Sequence, residues 1–486
     1  MYEIMKKFEF TGETKTINLL FGTATLHRIR AVAKFGFVEI GELGGWIEKE
    51  ENLSHEENAW VYGDAKVYGN AKVYGNAEVR DKAEVCGNAI VYGNAKVGED
   101  AEVYDNAEVC GNVIVFGNAK VRGKAEVCGN AIVCDNAKVG ENAEVYGKAL
   151  IYGDAKVYGN AKVYGNAKVG EDAEVYDKAE VYDKAEVYGN AQIYGNAIVR
   201  ANAKVYGKAE VCGKAGVCGK AEIRDDAKVY DKAIVCEDAN VYGKAQIYGD
   251  AKVWYDAKVY GNAEVCGKAE VRGKAEIRDD ANVYGNANVY GNAKIYGNAK
   301  VYDNAKVWDD AKVYDNAEVC GNAKVWYDAK VYGNAKVYSN AEVYSNAKVY
   351  DNAKVWEDAI VCSNVKVYGN AIVCGNAKVY GNAKVYGNAE VCGKAEVCGK
   401  AEVFSTRHVL VIGTIGSQDD FATFYRDKDN EITVKCGYFL DKIDKFLEKV
   451  TETHGDSNYA LVCRAAVEAA RLQIDLSNEV TKDADE

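Results

Sequence analysis

From Ala59 to Phe404 the chain repeats every six residues, with no insertion and no deletion. Alanine fills every sixth position from 59 to 401; only Val113 and Val365 depart from it. Two residues after each of these sits Val or Ile, from Val61 to Val403, without exception. Between them lies Lys or Glu as a rule. After the Val comes Tyr, Cys, Trp or Arg, then usually Gly or Asp, then Asn, Lys or Asp. A period of six excludes a helix, whose period is about 3.6 and which a recurring glycine would weaken. In an extended segment, residues two apart share a side. Ala and Val therefore face together, while the Lys/Glu and Tyr slots face away. Gly-Asn supplies the turn, since both residues tolerate left-handed backbone. Each hexad is thus a very short strand plus a corner. It cannot bury its apolar side alone, whereas stacked coils can, so the chain is expected to be an all-β solenoid.

Composition agrees with a folded chain: 48% of the 486 residues are hydrophobic and there is no proline. The net charge is -13, which leaves a nucleic acid no basic footprint. Residues 1–58 account for -3, residues 405–486 for -6, and the repeat for only -4, from 44 basic and 48 acidic side chains. A rod that mimicked DNA would be more one-sided; mixed Lys/Glu columns read as a soluble surface. The N-terminus has no apolar core of signal-peptide length, and no run of 18 apolar residues exists, so neither export nor a membrane is expected. The expected compartment is the cytoplasm, of a bacterium or of a bacterium infected by a virus. Thirteen of the 15 cysteines occupy the tyrosine slot; only Cys436 and Cys463 lie outside it. One base change converts a Tyr codon to Cys, so drift accounts for them, and a disulfide framework is not expected. Cys110/Cys128, Cys218/Cys236 and Cys374/Cys392 are each 18 apart. Parallel side chains at the coil spacing are expected to sit too far apart for an unstrained bridge. Two thiols alone make a poor zinc site.

The motif, with Ala161 two places before Val163, resembles the hexapeptide-repeat proteins that form left-handed parallel β-helices. The resemblance implies handedness and three hexads per triangular coil of 18 residues, hence about 19 coils and a rod of roughly 90 Å. Stretch 25–65 resembles the N-terminal region of a bacterial and phage group with YGNAKV repeats, some of them labelled acyltransferases. Ile47 and Leu53 continue the alanine phase backwards, so the first coil is expected to begin before the clean repeat. Three segments result: an N-terminal cap with first coils (1–58), the β-helix (59–404) and a small C-terminal α+β domain (405–486). In the last, "RHVLVIGTIG" predicts a strand and "FATFYRDKDNEITVKC" a hairpin turning at Asp427–Asn430. Phe439, Leu440, Ile443, Phe446, Leu447 and Val450 form a helical stripe, a second helix is expected at about 457–476, and 481–486 reads as an acidic tail.

Acyl transfer on a β-helix needs a histidine base. The four histidines, His27, His55, His408 and His454, all lie outside the repeat, and three-histidine zinc chemistry is excluded there for the same reason. No catalytic residue, metal or cofactor is assigned. Ser417, Asp419, Asp420 and Arg426, with Cys436 and His454 as a thiol–base pair, are the only enzyme-like group, and a packed cap accounts for them better. Gly413 and Gly416 make no phosphate loop, because no GK[ST] follows. The outer columns offer more. One runs Trp254, Arg272, Tyr290, Trp308, Trp326, Tyr344, with Tyr255 and Tyr327 at its corner. This aromatic strip suits stacking on sugars, bases or a partner protein. A second patch sets Ile114, Ile132 and Leu150 beside Phe116, Cys134 and Tyr152, apolar residues where charge is the rule, as a protein contact or self-association surface requires. The expectation is a non-enzymatic spacer, scaffold or protein-binding surface; the alternative is a hexapeptide-type acyltransferase or an activity in the C-terminal domain.

Overall fold

The computed structural model describes residues 5–19 and 22–477. The expected tail at 481–486 lies outside them. The chain divides into two compact units, Met1–Lys244 and Ala245–Glu486.

In the first unit every hexad forms a two-residue strand that pairs in parallel with the strand 18 residues on: Lys96 with Ile114, Glu102 with Lys120, Glu108 with Glu126. Three hexads therefore make one turn of a parallel β-solenoid. The rungs are regular. Lys66, Tyr68 and Asn70 donate their N–H groups to the carbonyls of Ala83, Val85 and Gly87 at 2.9, 3.0 and 2.7 Å. Ala161 and Val163 are fully buried, like their equivalents in every coil. The alternation expected from the period is what is found: Ala and Val inside, charge and aromatic rings outside.

The corner residue has positive φ, at Gly159 (71°) as at Asp177 (60°). Acids there do more than tolerate the conformation. The Asp177 carboxylate accepts the N–H of Gly195 one coil on (3.1 Å), and Asp105, Asp135 and Glu171 do the same for Gly123, Gly153 and Gly189. Each such acid gives a corner N–H a charge-assisted acceptor. The next slot forms amide ladders, as stacking predicts. Asn316 Nδ2 donates to Asn334 Oδ1 (3.1 Å), and Asn334 Nδ2 to Asn352 Oδ1 (3.2 Å). Asn334→Asp keeps the first bond and loses the second. We expect it to cost about 1 kcal/mol, read as roughly fivefold faster hydrogen exchange in the coils from 316 to 352; unchanged exchange would show the ladder to be energetically silent.

The N-terminal segment covers the open edge of the first coil. Strands β1 (Phe8–Leu19) and β2 (Gly22–Ala31) form an antiparallel hairpin. Strand β3 (Leu43–Ile47) pairs antiparallel with β2 and parallel with the first coil. Its close approach needs glycine: a Cβ on Gly45 would lie 2.6 Å from the Ala65 carbonyl. Trp60, in a slot normally charged, is fully buried against Phe35 and Phe8. The repeat does begin before residue 59, but in a different phase from the one expected. Ile47 pairs with Val67, and Leu53 with Val73. They occupy valine positions, not alanine positions. The valine position takes a branched side chain in every coil, whereas the alanine position does so only at Val113 and Val365, so size overrides the count.

The second unit has coils of the same kind over residues 245–403 and ends in a four-stranded antiparallel meander with two helices. The strands are β4 (Val409–Ile415), β5 (Asp420–Arg426), β6 (Ile432–Cys436) and β7 (Phe439–Lys442); the helices are α1 (Ile443–His454) and α2 (Asn458–Gln473). The predicted strand, hairpin and second helix are present. The helical stripe begins later than expected. Phe439 and Leu440 belong to β7, which pairs with β6, because the sheet edge outcompetes one more turn of helix. Phe424, Val434, Phe446, Val450, Val467 and Ala470 form the core. Strand β5 closes the last coil: Tyr425 Oη donates to the Cys398 carbonyl (3.2 Å), and Glu396 N–H donates to Thr423 Oγ1 (2.9 Å). A solenoid edge so covered cannot recruit another strand.

The cysteine expectation is corrected. Cys110–Cys128, Cys218–Cys236 and Cys374–Cys392 are disulfides. Their Cα atoms are 4.6, 4.5 and 4.6 Å apart, inside the range a bridge accepts (about 4.4–6.8 Å). The coil spacing that was expected to forbid the bond permits it. Nine other cysteines are free.

Candidate functional site

The aromatic column of the second unit is built by register alone. Residues 18 apart pair across parallel strands, and Trp326 sits directly opposite Tyr344. Ring planes are nearly parallel from Tyr290 to Trp308 (5.5 Å between centroids), Trp308 to Trp326 (4.8 Å) and Trp326 to Tyr344 (4.7 Å). The Arg272 guanidinium lies over Tyr290 at 4.9 Å. The structure thus joins Arg272, Tyr290, Trp308, Trp326 and Tyr344 into one stack. Trp254 stands apart, tilted against Tyr255 (6.2 Å) and beneath Lys252 (5.6 Å). Tyr255 and Tyr327 project from the corner, 53% and 55% exposed. The rings inside the stack spend their faces on each other, so a sugar meets edges there; the open faces belong to the corner tyrosines. Such ladders recur elsewhere, for example Tyr146–Tyr164–Tyr182, and aromatic cross-strand pairs stabilise a sheet face in any case.

In the first unit, Ile114, Ile132 and Leu150 are direct register partners. Ile114 is 37% exposed and the other two are half-buried. Beside them Cys134 is buried, with its thiol pushed up to about 11 chiefly by burial. Phe116 and Tyr152 are half-buried. Tyr152 lies down over Gly170: a Cβ there would sit 1.9 Å from the Tyr152 ring. The glycine in a tyrosine slot makes that site.

The enzyme-like residues of the C-terminal sheet do not converge. Arg426 is buried with its guanidinium 4.5 Å above the Phe404 ring. The Asp420 carboxylate accepts the N–H of Phe421 (2.9 Å). Burial and the nearby Asp420 and Cys463 push the Cys436 thiol up to about 11, the wrong direction for a nucleophile. No hydrogen bond joins it to His454 among the described residues; the His454 ring tilts against Tyr459 (6.0 Å). His408 is buried on Phe404, accepts the Phe404 N–H (3.2 Å), and is held down to about 4 by burial and Arg426. A polar groove of about 610 Å³ does lie between the last coils and the sheet. Its charges are engaged: Lys435 pairs with Glu396 (3.3 Å), and Lys394 sits over Phe421 (4.4 Å). Among the described residues, no group of three or more His, Cys, Asp or Glu is arranged to hold a metal ion. No helix is long and apolar enough to cross a membrane.

One column went unread. The slot after alanine, followed every 18 residues, is lysine six times running from Lys294 to Lys384.

Residues 191–207 match the family described as YdcK beta solenoid repeat, which agrees with a β-solenoid repeat protein. No curated protein matches the chain. Among solved structures the chain is similar to a "putative acetyltransferase from Desulfovibrio desulfuricans G20". The identity is 12%, the TM-score 0.20, and the match covers 54% of this chain and 65% of that one, less than two thirds of that protein's own length.

Proposed function

We propose that the protein is a non-enzymatic scaffold whose work is done by ladders of outward side chains, as a structural spacer and a binding surface. The carrying observation is how those side chains are spent. Asparagines bond to asparagines one coil away, rings stack on rings, and lysines pair with glutamates 18 residues on, as Lys156 does with Glu174 (2.6 Å) and Lys168 with Glu186 (2.9 Å). Such a surface is ordered and repetitive, and it offers area rather than a cleft. The triplet Ile114, Ile132 and Leu150 is the place we assign to a protein partner or a second copy of the chain, since apolar residues in register are what such contacts use. The cytoplasm remains the proposed compartment, where the three bridges would be reduced. The rungs beside each bridge, such as Cys110 N–H to the Val127 carbonyl (2.9 Å), hold the same coils in register without it.

The test is directed at acyl transfer, the enzyme class the repeat resembles. Purified full-length protein with acetyl-CoA and a panel of amine and hydroxyl acceptors is expected to release thiol at the buffer rate. Turnover above that rate, removed by His454→Gln, would overturn the scaffold reading.

A further inference from the structure

Across six consecutive coils of the second unit, one face keeps both outward slots constant. Lys294, Lys312, Lys330, Lys348, Lys366 and Lys384 are direct register partners, each opposite the next. Two residues after each comes tyrosine, and these rings stack without a break from Tyr296 to Tyr386 at 4.8–4.9 Å. The other two faces of the same coils are an internal control. Their charged slots run Lys306, Lys324, Glu342, Ile360 on one face and Lys300, Glu318, Lys336, Lys354 on the other; their aromatic slots include Cys320, Cys362 and Cys374. Duplication of whole coils would have kept all three faces alike. Constancy confined to one face indicates a demand made on that face.

The lysine column is also electrostatically unusual. Many lysines elsewhere pair with a glutamate one coil away, as Lys324 does with Glu342 (2.8 Å) and Lys252 with Glu270 (3.3 Å); the run Lys120, Lys138, Lys156 is a shorter stretch of lysine on lysine. Here only the two ends find acids, Lys294 with Glu276 (3.3 Å) and Lys384 with Glu402 (2.7 Å). Among the described residues, Lys312, Lys330, Lys348 and Lys366 make no ion pair. Like charges directly opposite in a sheet repel, so the column weakens the fold unless an anion neutralises it. A groove of about 600 Å³ follows the column and is walled on its far side by Asn and Asp side chains. Asp310 and Asp328 stand at its upper end; from Asn346 onward the wall is amide only. The acids beyond the tyrosines are engaged, Asp315 with the Gly333 N–H (3.2 Å) and Asp351 with the Gly369 N–H (3.1 Å).

We propose that this Lys–Tyr face binds a linear polyuronate, an acidic polysaccharide with a carboxylate on each sugar, laid along the lysine column. The proposal rests on the scaffold reading and names the ligand of one face. Cations repeat once per coil in a straight line, which matches a polymer with closely spaced single charges. Tyrosine hydroxyls on one side and amides on the other supply hydrogen bonds for sugar hydroxyls. A single-stranded nucleic acid fits less well: it needs open aromatic faces for its bases, and here each ring is covered by the next. An anionic membrane needs apolar side chains to insert, and this face presents none.

The experiment measures binding of galacturonate oligomers by the full-length chain at low salt, with neutral galactose oligomers and single-stranded DNA as comparisons. Affinity is expected to rise with oligomer length, to fall steeply with salt, and to be absent for the neutral sugar. The triple variant Lys330→Gln, Lys348→Gln, Lys366→Gln is expected to lose binding by about tenfold or more. The control triple Lys300→Gln, Lys306→Gln, Lys336→Gln, on the other faces, is expected to retain it. No uronate binding, equal loss in both triples, or tighter binding of DNA would overturn the proposal and leave the scaffold reading standing. Cleavage or modification of the oligomer would overturn the scaffold reading instead.

Discussion

Val163→Asp is expected to destroy the coil that contains it. Val163 is fully buried, with Val145 and Val181 directly above and below. A carboxylate there has no partner and no water, and its coil neighbours are aliphatic. The charged form is too costly to keep, so the group takes up a proton and remains a buried, unpaired polar group. We expect a loss of at least about 4 kcal/mol, the range reserved for buried polar insertions. Because each coil touches only its neighbours, the damage should be regional. Hydrogen exchange should rise sharply in residues 139–187 and little beyond 220. Val163→Ala, which leaves only a small cavity, should cost about 2 kcal/mol. Lys162→Ala, which removes a half-exposed pair with Glu144 (3.0 Å), should cost less than about 1 kcal/mol. If Val163→Asp matched Lys162→Ala, the stacked aliphatic interior would not be what holds the coils.

Alkali is expected to unfold the protein steeply above pH 10. Burial pushes the phenols of Tyr314, Tyr350 and Tyr368 from the usual 10 up to about 12, with help from the neighbouring tyrosines in the ladder. Tyr92 is raised to about 12 mainly by its hydrogen bond to Glu108. Above pH 10 the unfolded chain loses these protons while the folded chain keeps them. The unfolded state then binds fewer protons, and stability falls as pH rises. The contribution is fully present below pH 10 and gone once pH passes about 12. Each such group contributes at most about 1.4 kcal/mol per pH unit in that window, and less where water screens a half-exposed ring. Burial also raises other ladder tyrosines, such as Tyr296, Tyr332 and Tyr386, so the contributions add. Melting temperature should be flat from pH 7 to about 9.5 and collapse between 10 and 12. A flat profile to pH 12 would show that the ladders accept phenolates.

The period carried most of the fold. Six residues without interruption excluded a helix and placed Ala and Val inside; the resemblance implied three hexads per coil, and the pairing of residues 18 apart, which sets them in columns, agrees with it. Those columns are where the candidate sites were legible: Trp308 over Trp326, Ile114 over Ile132. At the ends the count misled. Ile47 and Leu53 are in phase with alanine, yet they take the valine position, two residues away in register. Phe439 and Leu440 satisfy a helical stripe but complete a sheet edge. The three cystines have Cα separations inside the range a bridge accepts, so the stacking of residues 18 apart permits them.

The amino-acid sequence by itself determined the stacking, because a strictly repeated hexad has one way to bury Ala and Val. The lysine and tyrosine columns followed once three hexads were taken as one coil, which the resemblance implied and the strand pairing shows. Only the tertiary structure decided what those columns offer. The aromatic faces are closed because each ring lies on the ring 18 residues away. Corner acids such as Asp177, Asp315 and Asp351 are engaged because the next coil brings an N–H to them. Among the described residues the lysines from 312 to 366 make no ion pair, because lysine and not glutamate stands above and below them. Position along the chain follows from the period; the direction a side chain takes follows from what lies in the adjacent coil.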